Sequence, residues 1–142
     1  MSRVRDILQN RELFHVEEND TVANVVRRMA EIRVGAILVF EGEQLRGVFS
    51  ERDLMKRVVL ERLDPELTLV KNVMSTDIAT IDETASLEEA MAAMHAHNCR
   101  HLPVMRGSRV VAFLSMRDLM HHELVRKTEE LDHMRAYIQG NT

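Results

Sequence analysis

The hydrophobic positions of the chain follow two periodicities that alternate along its length. Apolar residues spaced three and four apart predict an amphipathic helix that begins near Val22 and a second one that begins near Leu87. Ser86 with Glu89 has the spacing of a capping box, which marks the start of the second helix. Apolar runs without that spacing predict strands at residues 14–16, 36–40, 45–49, 79–81, 102–105 and 110–114. Each half of the chain therefore predicts the order β-α-β-β-α.

The two halves also repeat each other in sequence. When the chain is shifted by 65 residues, residues 21–55 lie over residues 86–120 without a gap, and eight of the 35 positions are identical. Four of the identities form the block Arg-Asp-Leu-Met, which begins at Arg52 and Arg117, and serine stands two residues before it in both copies. A repeat of this length indicates one structural unit present twice.

The repeat predicts two domains followed by an extension. We expect the first copy with its N-terminal segment at residues 1–62, the second copy at 63–122 and a helical extension at 123–142. Asp64-Pro65 marks the linker, because proline disfavours helix in the residue before it. One unit is too small to bury both faces of its sheet, so we expect the copies to pack sheet to sheet with any ligand cleft between them.

Composition and charge exclude several classes of protein. A chain of 142 residues that is 45% hydrophobic can bury a core, while its net charge of -4 argues against general nucleic-acid binding. No stretch approaches the roughly 20 apolar residues of a membrane span, and no signal peptide is evident. The single cysteine, Cys99, fits a reducing compartment. We therefore expect a soluble cytoplasmic protein that binds neither nucleic acid nor membrane.

The motif with the clearest chemistry lies where the last strand of each copy ends. Ser50-Glu51-Arg52-Asp53 and Ser115-Met116-Arg117-Asp118 share Ser-x-Arg-Asp at a predicted strand-to-helix junction. A serine followed three residues later by an acid is also an ordinary helix cap. Free N–H groups at such a junction can nevertheless hold an anion, a carboxylate can accept from both ribose hydroxyls, and serine and arginine suit phosphate oxygens. The repeated motif therefore indicates a nucleotide site.

With Arg100-His101-Leu102-Pro103-Val104 and Val34-Gly35-Ala36-Ile37-Leu38-Val39, this motif resembles that of the CBS (cystathionine-β-synthase) domain, and the pair resembles a Bateman module. The resemblance covers about residues 4–120 and extends to stand-alone CBS-pair proteins of bacteria and plant organelles. It implies an α/β (α+β) fold of tandem β-α-β-β-α repeats packed with pseudo-two-fold symmetry. It further implies a non-catalytic regulatory module that needs no cofactor and signals to an unknown protein partner in trans.

The resemblance also implies the ligand and the residues that line its clefts. Such pairs bind AMP, ADP, ATP, NAD(H) or S-adenosylmethionine in up to two clefts, each completed by the other copy. Asp53 and Asp118 would hold ribose, and the residues facing phosphate would be Ser50, Arg52, Ser115 and Arg117. The Asp53 cleft would add Ile78, Ala79, Cys99, Arg100 and His101. The Asp118 cleft would add Phe14, His15, Val34, Gly35 and Ala36.

The two predicted clefts differ in charge. Arg100 and His101 have Gly35 and Ala36 as their repeat partners, so cationic groups are offered by the second copy alone. Ala112 stands where the family usually has glycine, at the position equivalent to Gly47. We therefore expect the Asp53 cleft to be the principal one.

Two other functions remain open from the residues alone. A scaffold or dimerisation module with empty clefts would have the same repeat. A small metal-dependent enzyme is suggested by His95, His97, Cys99 and His101, which alternate as ligands on a strand could. The repeat instead puts His95 and His97 at a helix end, where such residues do not face each other, and Cys99 lacks an orienting group for catalysis. We expect neither a metal site nor an enzyme.

The last segment predicts a long charged helix at residues 116–138. Leu124, Leu131 and Ile138 recur every seven residues, which is typical of a short coiled-coil seam. The seam could cover its own domain or pack on a second subunit. Because CBS pairs usually form dimers, the resemblance favours a homodimer.

Overall fold

The computed structural model of the chain describes residues 2–8 and 11–140. Its helices are α1 (Val4–Ile7), α2 (Val22–Ile32), α3 (Glu51–Asp53), α4 (Leu87–Ala96) and α5 (Met116–Gly140). Its strands are β1 (His15–Glu17), β2 (Ala36–Glu41), β3 (Gln44–Ser50), β4 (Ile81–Asp82), β5 (His101–Arg106) and β6 (Arg109–Ser115). A π-helical segment, Leu54–Val59, continues α3, and a 3₁₀ turn, Val70–Asn72, precedes β4.

Each copy folds around a three-stranded mixed sheet. In the first sheet β1 pairs parallel with β2, and β2 pairs antiparallel with β3. The second sheet repeats this arrangement with β4, β5 and β6. Both antiparallel pairs turn at a glycine with positive φ, +61° at Gly42 and +62° at Gly107, a conformation that glycine adopts without steric cost. The predicted β-α-β-β-α order is confirmed in both copies.

Pro103 lies in the central strand of the second sheet and explains a difference between the copies. β1 begins its pairing with β2 at His15 and Leu38, whereas β4 begins one step later, at Ile81 and Val104. Pro103 occupies the place of Leu38 and has no N–H with which to bond a neighbouring strand. The shorter β4 thus follows from the proline.

The copies exchange the segments that precede their first strands. Val70, Val73 and Met74 come before β4 but are buried in the core of the first copy. Val4 and Leu8 come before β1 but are buried in the core of the second copy. Backbone bonds hold one exchanged segment in place, since the Val4 N–H donates to the Ala85 carbonyl at 2.9 Å. The buried residues of the first core therefore extend to Met74, and the second core combines the N-terminal segment with residues of the second half of the chain.

A third apolar cluster joins the two sheets face to face. Its buried members are Leu38 and Phe40 from β2 and Val110 from β6. Partly buried apolar residues of both copies surround them: Leu13, Leu45, Val48, Met105 and Phe113. The expected sheet-to-sheet packing is confirmed.

Candidate functional site

Ser50 and Asp53 cap the helix that follows β3 by bonding each other. The Asp53 N–H donates to Ser50 Oγ at 3.2 Å, and the Ser50 N–H donates to Asp53 Oδ2 at 3.0 Å. The Ser50 hydroxyl also donates to Asp53 Oδ2, at 3.1 Å. Asp53 is buried, with 6% of its surface exposed, so these bonds fix its carboxylate at the strand-to-helix junction. The capping arrangement expected from the sequence is therefore present.

The second carboxylate oxygen of Asp53 is held by a residue that the sequence analysis missed. Ser75 Oγ donates to Asp53 Oδ1 at 2.9 Å, and Arg57 Nε lies 3.8 Å from the same oxygen. Ser75 is positioned by a two-bond bridge to Val48, in which each N–H donates to the other residue's carbonyl at 2.9 Å. A side chain from the segment leading into the second copy thus completes the first motif.

Gly47 allows this close approach. A Cβ at Gly47 would lie 2.6 Å from Met74 Sδ and 2.8 Å from the Ser75 carbonyl oxygen, both closer than packed atoms come. The chain can therefore run beside β3 only if residue 47 has no side chain. In the second copy the equivalent residue, Ala112, is buried in the core of that copy.

The second motif has the same cap and a different outside partner. The Asp118 N–H donates to Ser115 Oγ at 3.1 Å, and the Ser115 N–H donates to Asp118 Oδ2 at 2.8 Å. Arg11 Nη1 donates to Asp118 Oδ1 at 2.6 Å. Arg11 lies in the segment that leads into the first copy. Each motif carboxylate is therefore contacted by the segment leading into the other copy, through a hydroxyl at Asp53 and a cation at Asp118.

Arg52 and Arg117 follow the two motif serines at the helix starts. Both are exposed, and within the described part of the chain neither forms an ion pair or a side-chain hydrogen bond. Their guanidinium groups therefore have donors that no described side chain accepts.

The start of each central strand lies beside the motif of its own copy. Ala36 pairs with Ser50, and His101 pairs with Ser115. The Gly35 carbonyl accepts from the Glu51 N–H at 3.0 Å, as the Arg100 carbonyl accepts from the Met116 N–H at 2.7 Å. The strand starts and the motifs therefore form a continuous rim at one end of each sheet.

His101 is half-buried at the boundary between the copies. Its ring packs on Phe113 with centroids 5.1 Å apart. Burial lowers the pKa of His101, and the carboxylates of Asp118 and Glu51 partly oppose that shift. Glu51 belongs to the first motif and Asp118 to the second, so the pKa of His101 depends on carboxylates of both copies.

The other residues assigned to the clefts from sequence have neighbours in their own copy. The Arg28 guanidinium lies 5.3 Å from the ring centroid of Phe14, and His15 stacks on Phe40 at 4.7 Å. Val34 packs against the first core, while Ala79 and Cys99 pack against the second. Ile78 is half-buried, and Arg100 is exposed.

A basic cleft of about 540 Å³ opens beside α1 and the β5–β6 hairpin. Arg5, Arg11, Arg106 and Arg109 line it with a single acid, Glu83. Arg106 holds Glu83 through two bonds, of 2.8 and 2.9 Å. Arg11 connects this cleft to Asp118 of the second motif.

A model of the CBS domain family matches residues 4–60 and 70–124. Both matched stretches contain the features described above, the exchanged leading segment and the Ser-x-Arg-Asp cap. The chain belongs to the CBS domain family. Its two copies form a CBS pair, in agreement with the resemblance found in the sequence.

Curated relatives of this CBS pair occur in plants and bacteria. The chain is 30% identical over 127 residues to the mitochondrial CBS domain-containing protein CBSX3 of Arabidopsis thaliana, covering 86% of this chain and 62% of CBSX3. It is 32% identical over 119 residues to the CBS domain-containing protein YhcV of Bacillus subtilis, covering 84% of each. The chain spans only 18% of another Arabidopsis relative, CBSCBSPB3, at 34% identity. A CBS pair of this kind thus occurs both nearly alone and within longer proteins.

Solved structures share the fold of this CBS pair. A protein with CBS domains from Burkholderia ambifaria superposes with a TM-score of 0.84 at 31% identity, covering 87% of this chain and 95% of that one. A CBS domain protein from Pyrobaculum aerophilum, complexed with AMP, gives 0.75 at 29% identity, covering 82% and 89%. Hypoxic Response Protein I, whose structure holds two coordinated zinc ions, gives 0.74 at 27% identity, covering 86% and 99%.

The histidines and cysteine considered as metal ligands are spread over several elements of the CBS pair. His95 is in α4, His97 caps its end, Cys99 packs on the second core and His101 is in β5. Among residues 2–8 and 11–140, no group of three or more His, Cys, Asp or Glu side chains is arranged to hold a metal ion.

A helix needs roughly 20 apolar residues to cross a bilayer. None of the described helices combines the length and the apolar character needed to cross a membrane.

Proposed function

We propose that this CBS pair is a non-catalytic regulatory module that binds an adenosyl ligand between its two copies. The ligand class is AMP, ADP, ATP, NAD(H) or S-adenosylmethionine, and its binding changes the affinity of the pair for a protein partner in trans. The observation that carries the proposal is the position of Asp53 and Asp118. Each carboxylate lies at a helix start and is contacted by the segment leading into the other copy. AMP in the related Pyrobaculum aerophilum protein supports the ligand class.

The contacts of Asp53 suit a ribose. Ser75 Oγ donates to Asp53 Oδ1, and a ribose hydroxyl can donate to that oxygen in the same way. Binding would then exchange one O–H···O bond for another, which costs little. The exposed Arg52 and Arg100 would meet the phosphates, because guanidinium groups form strong charge-assisted bonds to phosphate oxygens. His101 would line the same cleft from the second copy.

The contacts of Asp118 make the second cleft weaker. A ribose there must displace Arg11, which holds Asp118 Oδ1 through a charge-assisted bond of 2.6 Å. We therefore assign the tighter adenosyl site to the Asp53 cleft.

The module works in the cytoplasm as a homodimer and needs no cofactor for this function. The exposed seam of α5 supports the homodimer, since a second copy would cover it. Ligand and protein partner are coupled through the pair, so the partner must change the ligand affinity by the same factor as the ligand changes the partner affinity.

Isothermal titration calorimetry with AMP and ATP tests the proposal. Asp53→Asn keeps the size of the side chain but removes the charge that accepts ribose hydroxyls. We expect it to weaken binding about tenfold or more, because a hydrogen bond to a charged group contributes roughly 1.5–3 kcal/mol. Asp118→Asn is the matched control in the other copy and should have the smaller effect.

The melting temperature of each variant separates lost binding from lost folding, since Asp53 also caps a helix. Equal affinity in wild type and Asp53→Asn would remove Asp53 from the site. If no adenosyl compound binds the wild type at millimolar concentration, the scaffold with empty clefts is the better description.

A further inference from the structure

The C-terminal helix α5 extends away from the rest of the CBS pair. It runs without interruption from Met116 to Gly140, which corresponds to about 37 Å. Leu119 is its buried residue, whereas residues 124–140 are all exposed. Most of this helix therefore lacks the packing on which the stability of helices in proteins mainly depends.

One face of the exposed helix is apolar. Large apolar side chains recur along it with 54–66% of their surface exposed: Met120, Leu124, Leu131, Met134 and Ile138. Their spacing of four, seven, three and four residues is that of the two inward positions of a heptad repeat. The one inward position without an apolar residue holds Lys127. A continuous seam of this kind is built to pack against another helix.

Lys127 decides the direction of the second helix. In a parallel, in-register pair Lys127 would meet its own counterpart inside the seam, and burying two like charges together is costly. An exposed ion pair between Glu130 and Arg135 of the second copy would offset little of this cost, because surface ion pairs contribute little to stability. In an antiparallel pair Lys127 meets a leucine and lies beside an acid instead. The antiparallel direction is therefore favoured.

We infer that α5 pairs with α5 of a second copy of this chain as an antiparallel two-helix seam. The two-fold axis passes near Glu129. Each residue therefore faces the residue of the second copy for which the two residue numbers add up to 258. Met120 then packs on Ile138 of the second copy, Leu124 on Met134, and Lys127 on Leu131. All five apolar residues of each helix are covered, and the Lys127 ammonium lies beside Glu130 of the second copy. The same surface is used by both copies, as a two-fold dimer requires.

This inference rests on the homodimer of the proposed function and gives it a surface and a register. It involves none of the residues of the two nucleotide clefts. Calorimetry with AMP therefore tests the clefts, and cross-linking of α5 tests the dimer, so either can fail without the other.

Disulfide cross-linking in a Cys99→Ser background measures the register directly, because Cys99 is the chain's one cysteine. Leu124→Cys and Met134→Cys are made as separate proteins of different size. The antiparallel seam predicts a cross-link when the two proteins are mixed and none when either is alone, because two copies of residue 124 would be about 15 Å apart, beyond disulfide reach. Cross-linking of either protein with itself would show a parallel pair, and no cross-link in the mixture would show that α5 does not pair this way. Both results overturn the inference.

Sedimentation equilibrium supplies the quantitative test. Leu131→Glu puts a charge inside the seam and should raise the dimer dissociation constant tenfold or more. Ala136→Glu, on the outer face of the same helix, is the matched control and should change it less than twofold. A monomeric wild-type protein, or equal effects of the two substitutions, would contradict the seam.

Discussion

At the scale of single residues, the bond between Arg11 and Asp118 makes the two clefts unequal. Arg11 is half exposed and Asp118 is nearly buried, so the ion pair is partly screened and contributes on the order of 0–1 kcal/mol. That interaction energy is lost when a ribose hydroxyl replaces Arg11 as the partner of the Asp118 carboxylate. We expect Arg11→Gln to strengthen adenosyl binding in the Asp118 cleft up to about fivefold, measured by calorimetry in the Asp53→Asn background.

Arg109→Gln is the control for the change in charge. Arg109 lines the same basic cleft as Arg11 but forms no ion pair with a described residue. The Arg109→Gln substitution should leave the affinity of the Asp118 cleft for adenosyl ligands nearly unchanged. Weaker binding in Arg11→Gln would instead identify Arg11 as a direct contact of the ligand's phosphates.

The same two carboxylates mark how far the sequence predicts the site. Ser-x-Arg-Asp is a local pattern, and its spacing alone indicates the cap that the structure contains. Ser75 and Arg11 could not be found in this way, because they reach Asp53 and Asp118 from positions 22 and 107 residues away in the chain. The repeat gave no help either, since the residues around them differ between the copies.

At the scale of elements, Gly47 controls the distance between β3 and the segment that carries Ser75. In Gly47→Ala the new methyl group would meet the Ser75 backbone oxygen as well as the flexible Met74 side chain. We expect the free energy of unfolding to fall by about 1–3 kcal/mol, as for other overpacked sites. Urea denaturation measures this loss.

Ala112→Gly is the reciprocal change in the second copy. It removes a buried methyl group from the second core and should cost about 0.5–1 kcal/mol through strand flexibility. The Asp53 cleft should keep its affinity in that variant. A Gly47→Ala protein as stable as the wild type would mean that the segment at Met74 and Ser75 can shift without a loss in the free energy of unfolding.

The elements themselves were predicted well, because periodicity and capping are properties of neighbouring residues. Residues 22–32 and 36–40 have the pattern of the helix and strand that they form. The partners of Val4 and Val70 were not predicted. A short apolar segment has the same pattern whichever core receives it, and the choice depends on the packing of the complete molecule.

At the scale of the whole molecule, the exchanged segments make the two halves interdependent. Fragment 1–62 lacks Val70, Val73 and Met74 of the first core, and fragment 63–142 lacks Val4 and Leu8 of the second. We expect neither fragment to unfold cooperatively by circular dichroism, and an equimolar mixture to recover a cooperative transition. Cooperative unfolding of both isolated fragments would show that the exchanged segments are dispensable.

A fragment of residues 11–76 is the matched control, since it is of similar length and contains every buried residue of the first core. It should have more ordered secondary structure than fragment 1–62. Equal spectra of the two fragments would mean that Val70, Val73 and Met74 add nothing to the first core.

The exchange also sets an order of events during synthesis on the ribosome. Val4 is synthesised before the residues that surround its buried site, which include Ala85, Leu102 and Leu119. The first copy can close earlier, as soon as Met74 is outside the tunnel. The segment that contains Val4 and Leu8 therefore has no complete buried site until residue 119 has been synthesised. Nascent chains stalled before residue 119 should expose that segment to proteases and chaperones, and its burial would mark the moment at which translation of the pair is effectively complete.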